Sequence, residues 1–289
     1  MMPDGARVSA RPARGTQYVP AAAAGENFPV AIRLLPSRHR RNLMAIYQFA
    51  RTTDDIGDRA PPEDRLRLLD ELEDGLRRLY AGTPGLGHPV IGALAPAVAD
   101  CAIPMQPFLD LIMANRQDQV VSRYQTFDDL LGYCRLSANP VGRIVLHVFD
   151  CFTPRRAELS DYICTALQLA EHWQDVAEDY RAGRVYLPQQ DIDHEACAES
   201  DLAKPQASTR VRALMAFEVG RADALLSDGA PLIGMLRGWA RLAVAGYVAG
   251  GRAALAAIAD ADYDVLRATP RPRKDRLATE LLLGYARGR

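Results

Sequence analysis

Apolar residues in this chain recur every three or four positions, and strict alternation never runs beyond a few residues, so helices rather than strands must build its core. The pattern predicts helices over Arg38–Gly57, Pro62–Tyr80, Pro89–Cys101, Gln106–Ala114, Thr126–Phe149, Ala157–Arg181, Thr209–Leu226, Ala230–Ile258 and Arg273–Ala286. Proline and glycine punctuate them at Pro61-Pro62, Gly82 to Pro89, Pro104, Pro154, Pro188 and Pro270 to Pro272. The polar, acidic stretch from Gln189 to Pro205 reads as a loop. There is no internal repeat and no linker long enough to divide the chain. The expectation is one all-α domain over residues 26–289, preceded by a disordered tail over 1–25. A transit peptide is the alternative reading of that Ala-, Arg-, Gly- and Pro-rich tail.

At 289 residues and 48% hydrophobic, the chain can bury a sizeable core. A net charge of -1 provides no overall field for nucleic acid or an anionic membrane, so no nucleic-acid partner is expected. Lys204 and Lys274 are the only lysines; the arginine bias reads mainly as base composition, although arginine also suits phosphate. Cys101, Cys134, Cys151, Cys164 and Cys197 show no ligand spacing, which fits reduced thiols in the cytoplasm. Apolar runs around Leu242 to Ala249 and Ala253 to Ala259 look too short to span a bilayer. Peripheral contact with the inner membrane face stays open. Arg271, Arg273 and Lys274 form either a solvated turn or a contact for lipid headgroups.

Two acidic segments carry the chemistry. In Arg51-Thr52-Thr53-Asp54-Asp55-Ile56-Gly57-Asp58, Asp54 and Asp58 stand four apart; in Glu171-His172-Trp173-Gln174-Asp175-Val176-Ala177-Glu178-Asp179, Asp175 and Asp179 do the same. That spacing stacks two carboxylates on one helix face, where they repel. A divalent cation reverses the sign, since Mg²⁺ takes one or two carboxylates per site and completes its octahedron with water and phosphate oxygens. Tyr47, Arg51, Asp54, Asp55 and Asp58 share one broad face, read either as a solvated surface or as a metal site. Gln168, Glu171, Asp175 and Asp179 form a longer polar stripe among apolar neighbours, so either it faces solvent or cations neutralise it.

Arg184 follows, placed either to reach a phosphate or to balance the acidic helix end, and Tyr186 stands two residues on. Between the acidic segments, Tyr133-Cys134-Arg135-Leu136-Ser137-Ala138-Asn139-Pro140-Val141-Gly142-Arg143 puts small residues and a proline in mid-helix, implying a kink. Tight helix packing and room for a bulky apolar substrate are both compatible with it. The five histidines lack metal spacing, and His172 reads as a core or surface histidine. No P-loop, nucleophile elbow or dinucleotide fingerprint is present.

These residues resemble the squalene/phytoene synthase family of head-to-head isoprenoid diphosphate enzymes over about Glu26 to Leu283. The resemblance rests on Tyr47-x-Phe49-Ala50-Arg51-x-x-Asp54-Asp55-x-x-Asp58, on Tyr133-Cys134-x-x-Ser137-Ala138-x-x-Val141-Gly142, and on Gln168, Asp175, Asp179, Arg184, Tyr186 and Pro188 at their spacing. Glu26-Asn27-Phe28-Pro29-Val30, Leu34-Leu35-Pro36 and Trp173-Gln174-Asp175-Val176 are most similar to the hydroxysqualene synthases of bacterial hopanoid synthesis.

The resemblance implies a single helical bundle of the isoprenoid-synthase type around a central cavity. It implies Mg²⁺, or Mn²⁺, held by Asp54, Asp55, Asp58, Glu171, Asp175 and Asp179, Glu171 standing where many members carry Asn. Tyr47, Arg51, Tyr133 and Gln168 would be catalytic. Arg51, Ser137, Val141, Gly142, Gln168, Glu171, Arg184 and Tyr186 would bind substrate. The implied reaction converts presqualene diphosphate and water to hydroxysqualene and diphosphate, without NADPH, coupled to a presqualene diphosphate synthase. Presqualene diphosphate, phytoene or dehydrosqualene synthesis is the alternative; a class I terpene cyclase and a non-catalytic scaffold are more distant ones.

Overall fold

The computed structural model describes residues 35–85, 87–272 and 274–287. The expected tail over 1–25 and the Glu26–Val30 segment lie outside them, as does Arg273. The described residues form helices α1 (Ser37–Arg59), α2 (Pro62–Tyr80), α3 (Pro89–Cys101), α4 (Gln106–Gln117), α5 (Phe127–Ser137), α6 (Asn139–Val148) and α7 (Pro154–Gln174). They continue as α8 (Val176–Arg181), α9 (Gln189–His194), a 3₁₀ turn (Glu199–Ala203), α10 (Thr209–Gly229), α11 (Leu232–Met235), α12 (Gly238–Asp260) and α13 (Lys274–Arg287). The only β pairing among them is an isolated bridge between Arg123 and Val185.

Two cores meet in the middle. The first gathers α1, α2, α3, α4 and α6, where fully buried Phe49 packs edge-on against Phe108 at 5.1 Å between centroids. The second surrounds α7, which is flanked by α6, α10 and α12 and anchored by fully buried Trp173. Truncating a buried tryptophan costs about 3–5 kcal/mol, so Trp173 fixes the rotation of α7 about its axis. Gln168, Glu171 and Asp175 are thereby turned to the opposite, polar side.

Four expectations need correction. The span 126–149 divides at Ala138 because Pro140, in the first turn of α6, lacks the N–H that a continuing helix needs. The span 157–181 bends at Asp175, whose φ of -103° and ψ of 13° leave the helical region. The stretch 189–205 is no plain loop: it folds as α9 and the 3₁₀ turn, docked through buried Ile192 and Leu202. Finally, α12 is long and apolar enough to cross a membrane by length and composition, although 61% of its most apolar window is buried inside the protein.

Candidate active site

A cleft of about 300 Å³ opens where α1, α4, α5, α7 and the segment after α8 converge. Eleven of the expected residues line it: Arg51, Asp54, Asp58, Tyr133, Ser137, Gln168, Glu171, Asp175, Asp179, Arg184 and Tyr186. Both aspartate pairs therefore face the same space from opposite walls.

The first wall is one unbroken helix. Asp54 is exposed to the cleft on one side and enclosed by protein on the others. That enclosure pushes its carboxyl up to about 6, with Asp58 and Asp55 adding repulsion, while the Asn115 amide and Arg51 oppose the rise. Asn115 Nδ2 donates to Asp54 Oδ1 at 3.1 Å and to the Leu111 carbonyl at 3.2 Å. It can come this near because residue 57 is glycine: a Cβ there would lie 2.2 Å from Asn115 Oδ1. Asp58 receives Arg184 Nη2 at 3.0 Å from across the cleft. Asp55 is not a lining residue; it pairs with Arg51 at 3.2 Å and Arg59 at 3.1 Å, on the flank of the helix.

The second wall bends at Asp175. Two hydrogen bonds bridge the bend, from the N–H groups of Glu178 and Asp179 to the Asp175 carbonyl, each at 2.9 Å. Burial raises the Asp175 carboxyl above its usual range, and Asp179 and Glu178 reinforce this by repulsion. Beyond α8, Gly183 at φ 85° reverses the chain, and the Arg184 N–H closes on the Asp179 carbonyl at 2.8 Å. That turn brings Arg184 and Tyr186 back into the cleft. Tyr186 then stacks on His172 at 3.6 Å between centroids.

Five lining residues lay outside the expected site: Leu111, Ala114, Asn115, Asp118 and His172. Asp118 accepts the Tyr133 hydroxyl at 3.0 Å, and burial pushes its carboxyl up to about 6 against the pull of Arg184. Burial holds the Tyr133 phenol well above its ordinary value, so it serves as a neutral donor. Sequence periodicity ended α4 at Ala114 and so lost its last turn; the signal available was the lining face Leu111, Ala114, Asn115 and Asp118 at helical spacing.

Tyr47, Val141 and Gly142 do not line the cleft. Tyr47 is half-buried one turn before Arg51, and Val141 packs against the first core. A Cβ on Gly142 would meet Ser160 Oγ at 2.3 Å and Cys164 Sγ at 2.5 Å, so this glycine serves the close approach of α6 to α7. Asn139 adds to that contact by accepting the Thr165 hydroxyl at 2.9 Å. Of the two readings of segment 133–143, tight packing holds for its second half, while Tyr133 and Ser137 face the cleft.

The donor set fits a phosphate-bridged cation rather than a closed metal cage. Among the described residues no three carboxylate, histidine or cysteine groups converge on one point. Asp54 and Asp175, whose ionisation is opposed by burial and by repulsion from neighbouring carboxylates, suit an ion that brings its remaining ligands from water and phosphate.

The chain matches the squalene/phytoene synthase family over residues 21–278. It is 37% identical to a hydroxysqualene synthase of Rhodopseudomonas palustris over 72% of this chain and 70% of that one. It is 31% identical to a phytoene synthase of Mycobacterium tuberculosis over 73% and 70%. The crystal structure of the squalene synthase HpnC from Alicyclobacillus acidocaldarius superposes with a TM-score of 0.75 at 39% identity, covering 85% of this chain and 97% of that one. The expected all-α isoprenoid-synthase fold is thus borne out.

Proposed function

The chain belongs to the squalene/phytoene synthase family, and within it we propose that this protein is a hydroxysqualene synthase, converting presqualene diphosphate and water to hydroxysqualene and diphosphate. The observation that carries the choice is the greater likeness to the hydroxysqualene synthase than to the phytoene synthase. Asp54, Asp58, Asp175 and Asp179, with Glu171 as a further donor, would hold Mg²⁺ or Mn²⁺, whose Lewis acidity would stabilise charge growing on the departing diphosphate.

Arg51 and Arg184 supply fixed positive charge for phosphate oxygens at the cleft mouth. When the carbon–oxygen bond breaks, its electron pair leaves with the diphosphate. A cyclopropylcarbinyl cation is left, and the packed rings of Tyr133 and Tyr186 would stand beside it. The cation rearranges, one water forms the new carbon–oxygen bond, and the freed proton passes to the diphosphate. No electrons are exchanged, so NADPH has no part in it.

A presqualene diphosphate synthase would supply the substrate, and its lipid character fits a place in the cytoplasm at the inner membrane face. One compact domain from residue 26 onward is part of the same proposal. The likeness to a phytoene synthase favours a second reading, that of a presqualene diphosphate, phytoene or dehydrosqualene synthase using the same aspartates. Purified protein given presqualene diphosphate and Mg²⁺ without NADPH should release hydroxysqualene. Turnover of farnesyl or geranylgeranyl diphosphate with no hydroxysqualene would instead establish the second reading.

A further inference from the structure

His172 stands at the last turn of α7, buried between the two features that the reaction needs, the carboxylates and the wall of the cleft. One face of its ring lies on Tyr186, tilted by 14°. Nδ1 faces Asp179 Oδ2 at 3.9 Å, and Nε2 lies 3.1 Å from the amide nitrogen of Gln168. An amide nitrogen only donates, so His172 Nε2 must accept, and the ring hydrogen belongs on Nδ1 beside the carboxylate. The stack on Tyr186 and the contact with the Gln168 amide hold this ring, with the Asp179 carboxylate on its Nδ1 side.

The consequence falls on Gln168. An amide carries one oxygen, and with the nitrogen committed to His172 that oxygen is turned away from the imidazole. Gln168 lines the cleft. We propose that His172 is a positioning residue that sets the fate of the cation: it holds the Gln168 amide so that Oε1 faces the cleft and orients the capturing water.

A water that attacks a cation must present a lone pair to carbon, so its hydrogens need acceptors elsewhere. An amide oxygen accepts one of them without the full negative charge that would make it a competing nucleophile. Tyr133, which also lines the cleft, is committed as a donor to Asp118. In the capture step the water oxygen bonds to carbon, and one of its protons passes to the released diphosphate; no oxidant or reductant is consumed. An apolar residue at position 172 would leave the amide free to rotate, and the cation free to end as other products.

The inference rests on the hydroxysqualene reading, and one experiment separates the two. Presqualene diphosphate and Mg²⁺ are supplied in ¹⁸O-water, and labelled alcohol is measured per diphosphate released for the wild type, His172→Phe and His172→Asn. Phe keeps the stack on Tyr186 and loses the acceptor; it should lower the labelled fraction on the order of tenfold, the factor carried by one hydrogen bond. Asn, which still accepts, should restore part of it. If His172→Phe does not fold, Gln168→Met should give the same loss. An unchanged labelled fraction in whichever of these variants folds overturns the positioning role while leaving the proposed function intact. No labelled alcohol from the wild type overturns both.

Discussion

The two walls of the cleft present matching aspartate pairs but are built differently. On α1 the pair sits on a continuous helix and is balanced by the protein itself, through Asn115 on Asp54 and Arg184 on Asp58. On the facing wall the helix bends between α7 and α8, and the repulsion of Asp175 by Asp179 and Glu178 outweighs the smaller attraction of His172 and Arg271. The first wall is a preset frame, whereas under the proposed function the second would rely on charge brought by cation and substrate. Equal spacing in sequence therefore does not mean equal mechanical or electrostatic roles.

The largest effect should come from removing one carboxylate from either wall. Asp54→Ala and Asp175→Ala should each lower turnover by at least about 10³-fold, the scale on which lost transition-state electrostatics acts. The fold should stay within about 1 kcal/mol of wild type, because Asn115 keeps its bond to the Leu111 carbonyl when Asp54 is gone. Chemical denaturation beside steady-state kinetics checks both halves. Wild-type turnover from either variant would break the symmetry of the two walls.

Gly57→Ala tests the preset frame alone. The added methyl would displace Asn115 and slacken Asp54, costing about 1–3 kcal/mol of stability as overpacking does. Activity should fall about tenfold or more, and substitution of Asn115 should add little to it. A double-mutant cycle measures the coupling; fully additive losses would mean that the glycine does not act through Asn115.

The smallest effect concerns a buried carboxyl group that does not line the cleft. Glu218 on α10 is fully buried beside Asp191 and Arg221, and Arg221 is itself held between the Phe127 and Phe217 rings. Burial pushes its carboxyl up to about 8, and the Asp191 partnership adds to the rise. Glu218 is thus protonated in the fold and ionised once unfolded between about pH 4.5 and 8. Its contribution is fully present below that window and is lost as pH rises through it. Thermal melts should show Glu218→Gln gaining on wild type by a few degrees from pH 5 to 8, equally with and without Mg²⁺. A Mg²⁺-dependent gain would link this cluster to the cleft.

Much of the site was legible because spacing alone determines which side chains share a helix face. Asp54 with Asp58, and Gln168 with Glu171 and Asp175, needed no tertiary knowledge beyond the helical repeat. The last turn of α4 was not legible: Asn115, Arg116, Gln117 and Asp118 are all polar, and long-range bonds hold them in place, from Arg116 to Glu73 and from Gln119 to the Gly57 carbonyl. The place of His172 on the cleft was not legible for a similar reason. Its partner Tyr186 arrives only through the reversal at Gly183, which periodicity does not encode. Gly142 was half legible, since its small size was noted while its neighbours Ser160 and Cys164 come from another helix.

The central claim is that both walls hold one diphosphate through shared divalent cations. Thermal melting of wild type, Asp54→Ala and Asp175→Ala with Mg²⁺ and inorganic diphosphate tests it directly. At a ligand concentration about 100-fold above Kd, linkage supplies about 2.7 kcal/mol, which raises the wild-type Tm by roughly 5 °C. The two-walled site predicts that this shift needs both ligands and vanishes in each single variant. Full retention of the shift in either variant would contradict it.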